Sequence, residues 1–245
     1  MTVGLFIPCY VNLFYPNVAI ATLELLEKIG LDVAFPANQT CCGQPMANSG
    51  FGQLMHGCDE LFTSTFADFD YIVAPSASCT LHVKEHLSSQ KNPQAANEIR
   101  AKVFELVEFL TDVIGIKNLQ ASFPHRVGVH QSCHGLRGLH LARMSELNAP
   151  PYSKLSMLLN MVKGLEEVPL NRVDDCCGFG GTFSVFEEAV SVKMGKDRIK
   201  DHSDNGAEYI TSADMSCLMH LEGILKRQNS PVKVIHIAEI LNATR

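Results

Sequence analysis

The chain has no tryptophan, no apolar run long enough to span a bilayer, no surplus of positive charge, and no Cys-x-x-Cys pair among its nine cysteines. Each of the last three absences removes a class of function. A membrane-spanning helix needs about 18 or more consecutive apolar residues, and none occurs. The apolar start of "MTVGLFIPCY" follows no basic segment and is broken at Pro8, which predicts a strand rather than a signal peptide. The expectation is a cytoplasmic chain without direct membrane insertion. Twenty Lys and Arg against 26 Asp and Glu give a net charge of −6 with no basic cluster. There is then no electrostatic grip for a phosphate backbone, and nucleic acid is excluded as a partner. The missing Cys-x-x-Cys spacing argues against zinc ribbons, thioredoxin-type redox sites and ferredoxin signatures.

With 46% apolar side chains in 245 residues, the chain can bury one large core or two smaller ones. Cytosolic thiols stay reduced, so nine cysteines point to metal binding or catalysis rather than disulfides.

Their arrangement is a repeat. Aligning the triplet "CCG" at 41–43 with that at 176–178 brings "GLFIPCY" around Cys9 onto "VGVHQSCH" around Cys133. Downstream, "YIVAPSASCTLH" (71–82) falls on "YITSADMSCLMH" (209–220), with Tyr, Ile, Ser, Cys and His at identical offsets. Each half therefore carries Cys…Cys-Cys-Gly…Cys: Cys9, Cys41, Cys42 and Cys79, then Cys133, Cys176, Cys177 and Cys217. Cys58 has no counterpart and reads as a core residue or bystander.

Around these cysteines, strands alternate with helices. "VGLFIP", "LDVAFP" and "DYIVAP" read as strands of the first half, and "HRVGVHQ", "LEEVPL" and "EYITSA" as those of the second. "NVAIATLELLEKIG" reads as a helix capped by Asn17 and ended by Gly30, with Val18, Leu25 and Ile29 on one face. "FSVFEEAVSVKMGKDRIKDH" reads as one long helix, and 98–115 as another. The predicted fold class is α/β: two similar tandem Rossmann-like α/β domains with mostly parallel sheets, related by a pseudo-two-fold, over 1–120 and 121–245. Ligands of open parallel sheets gather beyond the carboxyl ends of the strands, where the cysteines emerge. Distant thiols can thus converge on one site per half.

Neighbouring side chains of an extended backbone face opposite ways, so adjacent cysteines reach one site only through a turn, for which Gly43 and Gly178 provide positive φ. Consecutive thiolates bite awkwardly on a single zinc ion, whereas a polynuclear iron–sulfur cluster offers the two sulfurs different irons. Zinc, and buried or redox-active thiols such as a vicinal disulfide, remain as alternatives. His130 and His134, bracketing Cys133, are alternative ligands. His82 and His220, one turn past the last cysteine of each half, are candidates for hydrogen bonds to a ligand. Tyr71 and Tyr209 read as packing residues. "GFGGT" lacks the G-x-G-x-x-G spacing of a nucleotide site and suits close backbone approach to a cluster.

The stretches "CCGQP", "PSASCT", "DDCCGFGGTFSV", "ADMSCL" and "VIHIAEIL" resemble the lactate utilization protein A family over essentially the whole chain. The doubled motif also resembles the cysteine-rich CCG domain of heterodisulfide reductases and of the iron–sulfur component of glycolate oxidase. The resemblance implies an iron–sulfur electron-transfer subunit of an L-lactate oxidising complex, with one or two [4Fe-4S] clusters on the eight paired cysteines. It also implies two partners, a ferredoxin-like iron–sulfur subunit of the protein B type and a third subunit of the protein C type. Heterodisulfide reductase motifs end in Cys-x-x-Cys. Here Ser76 and Asp214 stand where the extra cysteine would be, which suits an ordinary cluster and leaves two candidate oxygen ligands. No flavin or nicotinamide motif is visible, and the sequence places no lactate site.

Overall fold

A computed structural model describes residues 1–244 and shows two four-stranded sheets, every strand parallel to its neighbours. The first contains β1 (Thr2–Leu5), β2 (Asp32–Ala34), β3 (Tyr71–Ala74) and β4 (Val103–Glu105), in the order β2-β1-β3-β4. The second repeats it with β5 (Arg126–Val129), β6 (Glu166–Glu167), β7 (Tyr209–Ser212) and β8 (Lys233–His236), ordered β6-β5-β7-β8. In such an order the chain leaves the first strand of each half in one direction and the third in the other, opening a crevice beyond their carboxyl ends.

The local rules hold where burial agrees with them. Helix Pro16–Lys28 buries Val18, Ala21, Thr22, Leu25 and Leu26 on one face and ends at Gly30 with φ +85°. It starts one residue before the predicted cap Asn17, because Pro16 already has the φ of a first helical position. The expected helix over 98–115 is corrected. Helix Pro93–Lys102 stops there, Val103–Glu105 pairs with Ile72–Ala74, and helical turns resume from Leu106. Val103 and Glu105 are fully buried, and sheet pairing overrides the helical pattern. The predicted long helix near the end is likewise interrupted at Glu187, between Phe183–Phe186 and Glu188–Asp204. The strand expected in "LEEVPL" shrinks to two residues.

The halves exchange their last elements. Helix Ile237–Asn242, after β8, packs on helix Pro16–Lys28 of the first half, where Lys28 Nζ donates to the Asn242 carbonyl at 3.4 Å and Asn242 Nδ2 to Glu24 at 2.6 Å. Reciprocally, the turn after β4 packs on helix Lys154–Leu159, with Lys154 Nζ paired to Asp112. One apolar core consequently runs through both halves, from Val3 and Leu26 to Leu155 and Leu241.

Equivalent caps begin these exchanged segments. Glu105 and His236, both fully buried, each form a capping box with a glutamate three residues on. Burial holds the His236 pKa down to about 4. Between pH 6.5 and 4 the unfolded chain binds a proton there that the folded chain refuses, so stability is full above pH 6.5 and is lost as pH falls through that window. His236→Asn, which keeps a capping oxygen, is expected to reduce the slope of unfolding free energy against pH in this window by as much as about 1.4 kcal/mol per pH unit. Urea denaturation of both proteins at a series of pH values measures it, and an unchanged slope would contradict the assignment.

Candidate metal centre

Each cysteine of the repeat reaches the crevice by the same route in both halves. Cys9 and Cys133 follow β1 and β5 and begin helical turns, while Cys79 and Cys217 lie in the first turns of helices Ala77–His86 and Met215–Arg227. The adjacent pairs ride on turns made by Gly43 and Gly178, with φ +91° and +88°. The turn aims a backbone N–H at the first sulfur of each pair: Gly43 to Cys41 Sγ at 3.4 Å and Gly178 to Cys176 Sγ at 3.3 Å. Phe179 adds a third, to Cys177 Sγ at 3.5 Å.

All eight thiols, four from each half, line one cavity of about 690 Å³. Tyr10, Ser78, His134, Ser216 and Met219 share its wall with Phe179, Gly180, Gly181 and Thr182 of the "GFGGT" segment and with Val185 just beyond it. Cys58 stands outside it, as expected of a bystander, and all nine cysteines are free thiols. A separate hollow of about 630 Å³ beside Glu60 and Ser89 has no cysteine in its lining.

The thiols interact in series, Cys9–Cys41–Cys42–Cys79 and Cys133–Cys176–Cys177–Cys217. Hydrogen bonds from Cys42 and Cys9, then from the Gly43 amide, hold Cys41 well below the ordinary thiol range. Cys133 and Cys177, then the Gly178 amide, do the same for Cys176. Donating those bonds, together with burial, pushes Cys9, Cys42, Cys133 and Cys177 up. In each half one thiol is thus favoured to ionise before its neighbours, and a metal taking the rest would displace their protons.

The histidines divide. His82 is buried beside Cys41 with Nε2 unpartnered, and burial holds its pKa down to about 4. His220 instead braces the turn: its Nε2 lies 3.4 Å from Ser191 Oγ, which donates to the Gly178 carbonyl at 2.7 Å. His134 lines the cavity, whereas His130 is buried behind it, with one ring nitrogen, Cys177 Sγ and Cys217 Sγ all within 4.8 Å of one another. Tyr71 and Tyr209 pack edge-on against Phe109 and Phe123, at 5.5 and 5.0 Å.

Ser76 and Asp214, the candidate oxygen ligands, are not part of the cavity lining. Ser76 Oγ caps its own helix by accepting from the Cys79 N–H at 3.3 Å. Asp214 crosses to the other half and accepts from the Ser78 N–H at 3.0 Å, from Ser78 Oγ at 3.1 Å, from Ser216 Oγ at 3.0 Å and from Tyr10 at 3.2 Å. Their role is to join the helices that carry Cys79 and Cys217. Sequence reasoning missed Arg198 and His202, fully buried behind the second thiol set, where Arg198 Nε donates to His202 Nε2 at 3.2 Å. The signal was there: Ser191, Gly195, Arg198, Ile199 and His202 form one helical stripe, and all are buried.

An alanine at Gly43 or Gly178 forces a non-glycine residue into the left-handed region, at about 1–2 kcal/mol. At Gly43 the added Cβ meets only the flexible Met55 side chain at 3.1 Å, whereas at Gly178 it meets the Ser191 carbonyl oxygen at 2.5 Å. Gly178→Ala is therefore expected to lower the urea midpoint more than Gly43→Ala. An equal loss would show that the turn is not held against helix Glu188–Asp204.

The cysteine-rich domain model of the CCG family matches residues 3–84 and 127–222, covering both thiol sets. Lactate utilization protein A of Geobacillus thermodenitrificans is 41% identical over 99% of each chain, and that of an Exiguobacterium species is 42% identical over 98% of this chain and 96% of its own. Among solved structures, a hypothetical protein from Helicobacter pylori shares the fold with a TM-score of 0.62 at 14% identity, over 98% of this chain and 48% of that one. The duplicated motif, the paired sheets and this full-length similarity together make the chain a member of the lactate utilization protein A family of cysteine-rich domain proteins.

Proposed function

We propose that the chain is an iron–sulfur electron-transfer subunit acting in lactate utilization. The observation that carries the reading is that equivalent positions of a duplicated fold deliver four thiols from each half to one cavity. Its relatives' name supplies the pathway. The donors fit the group: four thiols in each half, one of them with its pKa held down by neighbouring donors, backbone N–H groups aimed at sulfur, and buried imidazoles at His82 and His130 with unpartnered nitrogens.

A bound cluster supplies one-electron transfer at a potential set by hydrogen bonding, charge and exposure. The chain's own residues hold and tune it. Gly43, Gly178 and Phe179 direct N–H groups at the sulfurs, and Tyr10, Phe179 and Met219 add bulky side chains to the cavity wall. Oxidising a 2-hydroxy acid calls for a base beside an electron-pair acceptor, and we assign that step to the partners, one ferredoxin-like and of the protein B type, the other of the protein C type. Val185, in the cavity lining, and its neighbour Phe186 are both exposed and give an apolar patch on which such a partner could seat. The nitrogen and sulfur donors at His130, Cys177 and Cys217 favour a second reading, zinc in the second half.

Iron, acid-labile sulfide and zinc assays on protein purified without oxygen decide between them. About eight irons per chain are expected, the content of two four-iron clusters, with visible colour that falls by half in Cys42→Ser and in Cys177→Ser. Zinc alone, or colourless protein after anaerobic reconstitution, would overturn the iron–sulfur reading.

A further inference from the structure

The two halves are not chemically equal. Phe6 and His130 occupy the same place: each is the residue after the first strand, three before the first cysteine, with its N–H bound to the carbonyl two residues into the third strand, Phe6 to Val73 at 2.9 Å and His130 to Thr211 at 2.8 Å. In the first half this position is filled apolarly, the Phe6 ring standing edge-on to Phe62 at 4.9 Å. In the second half it carries an imidazole only 1% exposed, and neither ring nitrogen has a hydrogen-bond partner. Buried polar groups are almost always partnered, and two orphaned nitrogens on one ring ask for an explanation.

One lies at hand. A ring nitrogen of His130 stands with Cys177 Sγ and Cys217 Sγ in a group whose ligand atoms are all within 4.8 Å of one another. We propose that the His130 imidazole is a metal ligand of the second thiol set, so that the fold holds an all-sulfur site in its first half and a mixed sulfur and nitrogen site in its second. This rests on the metal-binding reading above. The surroundings agree. Neutral imidazole is the ligating form, and the buried Arg198, whose Nη2 also lacks a partner, places a positive charge behind Cys177. Imidazole is neutral where thiolate is anionic, so where His130 takes the place of one of the four thiolates at the second site, that site is the more oxidising of the two.

The full-length Cys42→Ser chain, which keeps only the second site, is reconstituted anaerobically with ferrous iron and sulfide, and the reduced protein is studied by pulsed electron paramagnetic resonance. A nitrogen coupling of the strength given by a directly bound imidazole is expected. It disappears in His130→Phe, which installs the first half's own residue, and metal retention against a chelator falls at least about tenfold. His130→Cys retains the metal without that coupling and lowers the potential, and it decides the matter should the phenylalanine variant not fold. Only weak amide-type couplings, with iron content and potential unchanged in both variants, would overturn the assignment. The Cys177→Ser chain separates the two ideas. Iron there, without imidazole coupling in the Cys42→Ser chain, overturns the ligand alone, whereas no metal in either chain overturns the metal-binding reading itself. Zinc in the second site, lost on His130→Phe, supports the ligand and contradicts iron in that half.

Discussion

A carboxyl group that belongs to one half and caps the other holds the site together. Asp214 is fully buried and spends its oxygens on the Ser78 amide and on hydroxyls of Tyr10, Ser76, Ser78 and Ser216. The N-termini of two helices, Ala77–His86 and Met215–Arg227, meet at this point, where the partial positive charge of a helix end favours an acidic partner. Because Cys79 and Cys217 sit in those first turns, the contact fixes the last thiol of each set relative to the other. The exchanged segments after β4 and β8 then lock the remaining geometry, and the shared cavity follows from it.

Much of this was legible in the chain. A repeat with matching offsets can only be satisfied by two copies of one fold, and parallel strands must deliver their following residues to one edge. The convergence of the cysteines follows from those two facts, and the positive φ at Gly43 and Gly178 from the need to turn adjacent side chains toward one site. Residues 98–115 were not legible, because an amphipathic helical pattern and a buried edge strand differ only in what lies alongside. Val103–Glu105 becomes a strand because β3 is there to pair with it.

The single cavity was also out of reach. Sequence predicts one site per half, but only the crossing of chain segments between halves turns the two sites toward each other. Ser76 and Asp214 show the same limit. Their position in the motif suggested oxygen ligands, and the fold uses them as caps instead. The Phe6 and His130 difference was visible in the aligned strands, yet its meaning needed the distances to Cys177 and Cys217.

That the eight thiols form two metal sites in one cavity is tested most directly by diffraction from crystals grown without oxygen, recorded on both sides of the iron absorption edge. Two anomalous peaks are expected, one against Cys9, Cys41, Cys42 and Cys79, the other against Cys133, Cys176, Cys177 and Cys217. A map with no iron signal at either set, from protein whose thiols are all reduced, would contradict the claim.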